Sequence, residues 1–153
     1  MDTRDSLQYR QIETVLAGLM NVERKSMGAF RAKLRHLRNI GVPHLPNPGS
    51  GRQIEYSRRH ALELMIALEL EKLGQSPRSV ALNAPSIVAQ AFSGQPEEDD
   101  CRVMIHENVP GYTIAWTEVA FFKYMRKAPN VFMVINVSGC ARRLEDALHR
   151  VVG

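Results

Sequence analysis

Residues 26–57 read SMGAFRAKLRHLRNIGVPHLPNPGSGRQIEYS, from Ser26 to Ser57. Met27, Phe30, Leu34 and Leu37 recur at helical spacing, which gives a helix one apolar side. Arg31, Arg35 and Arg38 form a second stripe beside it. Arginines along one edge repel one another, and a fold gains little from them unless a polyanion lies alongside. The helix has a plain stop at Asn39-Ile40-Gly41-Val42-Pro43, because glycine takes a left-handed C-cap at little cost and proline cannot continue a helix. His44 to Gly51 is too rich in proline and glycine for regular structure and predicts a tight exposed loop. Arg52 to Tyr56 then predicts a short return strand. A basic helix joined to a glycine-tipped hairpin is the winged form of the helix-turn-helix plan.

Upstream, Leu7 to Met20 predicts a first helix, with Ile12, Val15, Leu16 and Leu19 on its apolar face, and Asn21 to Lys25 is the expected turn. Downstream, Ser57 is a suitable N-cap for a helix from Arg58 to Leu73, whose apolar residues wrap most of its circumference and imply a buried, central position. Gly74 closes it, and Ser76-Pro77 opens the next helix, Pro77 to Phe92, in which Pro85 predicts a break or kink near Asn83. Gly94 to Asp100 is acidic and poor in apolar groups.

After it the pattern changes. Arg102 to Asn108 and Tyr112 to Thr117 read as strands joined by a type II turn at Pro110-Gly111. Glu118 to Lys127 reads as a helix, Asn130 to Val137 as a buried strand, and Ser138 as the cap of a final helix. The expected fold class is therefore α+β. A mostly helical winged helix-turn-helix domain (residues 1–94) is followed by an acidic linker (95–101) and a small ββαβα domain (102–153) for dimerisation or sensing. So small a core is marginal alone and needs packing onto the first domain or a second copy.

The chain has 153 residues and a net charge of +4. Its distribution matters more than its size. Arg24, Lys25, Arg31, Lys33, Arg35, Arg38, Arg52, Arg58 and Arg59 fall in one segment opposed only by Glu55, whereas acids and bases are near balance after Glu97. No apolar run approaches the roughly 20 residues of a membrane span, and MDTRDSLQYR lacks a signal-peptide core, so a cytoplasmic location is expected. Cys101 and Cys140 have no metal-ligand spacing, and no nucleotide loop is present; neither metal nor cofactor is implied.

The stretch resembles the DNA-binding domain of the MerR family of bacterial regulators. The resemblance rests on Leu34-Arg35, Ile40-Gly41, the glycine-bearing loop with Arg52, Tyr56-Ser57, and Leu73-Gly74 with Ser76, and covers about the first half of the chain. It implies a winged helix-turn-helix regulator binding double-stranded DNA.

On the residues themselves, Arg31, Arg35 and Arg38 suit phosphates or guanine edges, with Ala32, His36 and Asn39 facing the bases in a major groove. Arg52 suits a minor groove or a phosphate, and Arg58 and Arg59 stand at a helix N-terminus whose amides also attract phosphate. A homodimer is expected, because one recognition helix reads too few bases. Tyr112, Trp116, Phe121, Phe122, Tyr124 and Phe132 would line an effector pocket or a dimer surface. The rival readings are an excisionase-like architectural factor and a protein-interaction or effector-binding adaptor. A thiol enzyme would recruit Cys140 with His106 and Glu107; only a thiol pKa lowered by a helix N-terminus favours it, and the chain is read as no enzyme.

Overall fold

The computed structural model describes residues 6–45, 54–91, 101–106, 109–115 and 133–152. Helix α1 spans Tyr9–Leu19, a 3-10 turn covers Arg24–Ser26, and α2 spans Met27–Asn39. Helix α3 spans Arg58–Lys72 and α4 Pro77–Ala91. Strands β1 (Cys101–His106), β2 (Val109–Ala115) and β3 (Met133–Asn136) precede α5, Val137–Val152. The described chain is mostly helical.

Leu7 is not the first residue of α1. It lies in an extended segment before the helix and exchanges two backbone bonds with Tyr56: Leu7 N–H donates to Tyr56 O at 2.7 Å, and Tyr56 N–H donates to Leu7 O at 3.2 Å. This bridge joins the start of the described chain to the entry of α3. Phe30, Leu34 and Leu37 bury the apolar side of α2, and Gly41, at φ +92, ends that helix as its sequence predicts. Residues 46–53, with the tip of the expected wing and Arg52, lie outside the described residues.

Helix α3 is the centre of the packing. Every residue from Ala61 to Leu68 is buried, Glu63 included. Ser57 caps it: His60 N–H donates to Ser57 Oγ at 3.3 Å, and Ser57 N–H donates to His60 Nδ1 at 3.0 Å. Histidine thus takes the place that glutamate or glutamine fills in the usual reciprocal cap.

Three expectations are corrected. Helix α4 runs through Pro85 without ending. Proline removes one helical hydrogen bond, but Val80, Ala84, Ile87 and Val88 are fully buried on either side of it, and that burial holds the helix together. Pro110 and Gly111 do not make the turn between β1 and β2. They lie within β2, where Met104 pairs with Tyr112 and His106 with Val109, so that two residues stand opposite Ile105. Proline lacks the N–H that a regular ladder needs, and such a bulge accommodates it. Helix α5 is capped by Asn136 rather than Ser138, with Gly139 N–H donating to Asn136 Oδ1 at 2.7 Å.

The sheet is antiparallel with strand order β2-β1-β3 and packs against α4 and α5. The expected linker lies outside the described residues except for Cys101, which opens β1, and so does the expected helix from Glu118 to Lys127. Beyond the linker, α5 lies against α1 and α3. Its Val137, Leu144, Ala147 and Leu148 belong to the same apolar core as Ile12, Leu16, Leu34 and Leu64. Each fully buried leucine contributes about 1.5–3 kcal/mol over exposure, so the last helix is held by the core of the first half.

Candidate nucleic-acid interface

Helix α2 positions most of the residues the sequence singles out. Arg31, Ala32, Arg35, His36, Arg38 and Asn39 are all exposed. Their surroundings differ. Arg31 Nε donates to Glu13 Oε1 of α1 at 2.7 Å, and that carboxylate is buried. The Arg38 guanidinium lies 5.8 Å from the centroid of the Tyr9 ring, a cation–π distance. The side chains of Arg35, His36 and Asn39 make no hydrogen bond or ion pair among the described residues. Gly28, Ala29 and Ala32 are exposed on the same outward side, and their small side chains let a helix backbone approach a groove closely.

The arginines at the start of α3 meet carboxylates instead, Arg58 half-buried and Arg59 exposed. Arg58 is bound through Nη1 to Glu145 Oε2 of α5. Arg59 Nε lies 3.6 Å from Glu63 Oε1, one turn on. Glu63 also accepts the His44 N–H at 2.9 Å, which fixes the chain leaving α2 to the buried face of α3. Burial pushes the Glu63 carboxyl above its usual range, against the pull of His44 and Arg59. Burial likewise lowers His60, with Arg59 and His44 adding to the effect, and keeps its ring in the neutral form that accepts the Ser57 N–H. Elsewhere Lys33 Nζ lies 3.1 Å from Glu71 Oε2, a charge contact without hydrogen-bond geometry, and Lys25 pairs with Glu23.

The segment from Arg24 to Arg59 is therefore less positive in space than along the chain. Glu13 and Glu145 return from other elements to meet it, Glu71 of α3 meets Lys33 of α2, and Glu63 lies one turn along the same helix from Arg59. Among the described residues, Arg24, Arg35 and Arg38 keep no carboxylate partner.

Two participants escape the sequence reading. Tyr9 and Glu13, one turn apart on α1, face the arginine edge of α2. Their spacing was a usable signal only once α1 and α2 were known to lie edge to edge.

For a thiol enzyme the geometry removes the one favourable point. Cys140 is half-buried on α5, and burial, with Glu69 nearby, pushes its thiol up rather than down. Glu107 and the aromatic residues 116, 121, 122, 124 and 132 lie outside the described residues, and the strand side chains of His106 and Tyr112 are not described. Among the described residues no cluster of histidine, cysteine or carboxylate side chains suits a metal ion, and no helix is long and apolar enough to cross a membrane. No protein-family model matches the chain, and no curated protein matches it.

Proposed function

We propose that this chain is a sequence-specific regulator of transcription that binds double-stranded DNA, bacterial or phage in origin and cytoplasmic, with a MerR-like winged helix-turn-helix domain. Helix α2 enters the major groove, and the loop after it lies on the flanking backbone. The observation that carries this reading is the outward side of α2. There the side chains of Arg35, His36 and Asn39 have no partner among the described residues and stand beside Gly28, Ala29 and Ala32. Polar side chains left without a partner among the described residues, next to residues that leave the backbone bare, can reach base edges in a major groove.

The Leu7–Tyr56 bridge is compatible with this reading, because it ties the chain ahead of α1 to the segment that enters α3. The part of the chain that follows, read as ββαβα, serves dimerisation or effector sensing, and two copies would read a two-fold site.

A mobility-shift titration of the full chain against genomic fragments at two salt concentrations tests the reading. A selected fragment bound far more tightly than bulk DNA, with affinity falling steeply as salt rises, is the expected result. Absence of any shift at low salt would remove it in favour of the adaptor.

A further inference from the structure

Helices α1 and α2 meet along one edge, and the contacts run in opposite order along the two chains. Glu13, deeper in α1, holds Arg31 near the start of α2; Tyr9, the first residue of α1, lies under Arg38 near the end of α2. Arg35 falls between those two contacts on the same edge of α2, since residues three and four apart share a helix side. Burial, and then Glu13, push the Tyr9 hydroxyl above its usual range, against the pull of Arg38, Arg35 and Arg31. Among the described residues that hydroxyl has no hydrogen-bond partner.

The ring beneath is held in place. Tyr56, 2% exposed, packs its ring 6.1 Å from that of Tyr9 at a tilt of 46°. The Tyr56 hydroxyl is itself buried and has no hydrogen-bond partner among the described residues. Tyr9 thus packs against both an aromatic ring and a guanidinium, and its hydroxyl has no hydrogen-bond partner among the described residues. Charge along the edge is graded as well. Glu13 pairs with Arg31, while Arg35 and Arg38 meet no carboxylate among the described residues.

We infer that Tyr9 is a phosphate-binding residue of the DNA interface, its hydroxyl donating to one backbone phosphodiester whose other free oxygen is held by Arg38. This rests on the DNA-binding reading above. A hydroxyl and guanidiniums are the donors that proteins turn toward backbone phosphates, and the place of Tyr9, beside α2 and off its outward side, suits the flank of a groove rather than its floor.

The test is fluorescence anisotropy of the full chain with labelled duplexes of differing sequence over a range of salt, for the wild type, Tyr9→Phe and Arg38→Ala. Tyr9→Phe keeps the ring under Arg38. It should weaken binding about fivefold to tenfold on every sequence, leave the salt slope unchanged because a hydroxyl displaces no counterion, and leave the melting temperature unchanged. Arg38→Ala should reduce the salt slope by about one. Wild-type affinity in Tyr9→Phe overturns the assignment while DNA binding stands. So does a loss confined to one sequence, which would make Tyr9 a base reader, or a fall in melting temperature parallel to affinity, which would make it structural. Failure of the wild-type chain to bind any duplex at low salt removes the DNA-binding reading, and this inference with it.

Discussion

Arg35 and Arg58 are both arginines on the surface of a helix, and the fold treats them oppositely. Arg35 projects from α2 with no partner among the described residues, whereas Arg58, the first residue of α3, is bound to Glu145 of α5, 87 positions away in the chain. A cation becomes part of an external field only where no carboxylate from elsewhere in the fold returns to meet it. The start of α3 also shows why a cation is tolerated at a helix N-terminus, where it opposes the dipole. The partner that offsets the cost is internal.

The sharpest way to break this contrast is Arg35→Ala. Specific DNA affinity should fall about tenfold to a hundredfold, the range for losing one bidentate arginine–guanine contact, with the melting temperature unchanged. A direct binding titration beside thermal unfolding reads both, and equal affinity in the variant would place Arg35 with Arg58 rather than against it.

Arg58→Ala should do the reverse. It leaves a half-buried Glu145 without its cation and should lower stability by about 1–3 kcal/mol, measured by denaturant unfolding, with DNA affinity nearly preserved. A large loss of affinity without loss of stability would return Arg58 to the interface.

A third expectation concerns the cap of the same helix. Burial holds His60 below its ordinary value, so the unfolded chain takes up the proton first as pH falls. The contribution of the cap is then complete above about pH 6.5, the unfolded value, and is lost as pH falls through the folded one. The full effect of a cap is about 1 kcal/mol. His60→Gln, whose amide oxygen still accepts the Ser57 N–H, should flatten this part of the pH–stability profile. An unchanged profile in the variant would assign the dependence to another group.

The smallest effect belongs to Arg59→Ala. Its pair with Glu63 is an exposed cation one turn away, at 3.6 Å, and removing it should shift stability by no more than about 0.5 kcal/mol. A larger loss on unfolding would show that Glu63 depends on that cation and not on the His44 N–H.

Much of the helical frame was legible in the sequence because it is set by local chemistry. The apolar spacing of Phe30, Leu34 and Leu37, the stop at Gly41, the Ser57 cap and the Ser76-Pro77 start each act within a few residues. What the sequence withheld is non-local. Glu13 and Glu145 reach Arg31 and Arg58 only after helices pack, so a count of charges along residues 24–59 overstates the field. Tyr9 reads as an ordinary helix residue until α2 is laid beside it. Pro85 carries a strong local signal for a break, and tertiary burial of Ala84, Ile87 and Val88 outweighs it. Of the candidate site, helix α2 and the exposure of its polar residues were legible, the pairing of Arg58 with Glu145 was not, and Arg52 lies outside the described residues.

The all-round burial of α3 has a practical corollary. With every position from Ala61 to Leu68 enclosed, the helix offers nowhere along that span to attach a spectroscopic label or crosslinker without disrupting its neighbours. Its backbone amides should be among the slowest in the chain to exchange with deuterated solvent.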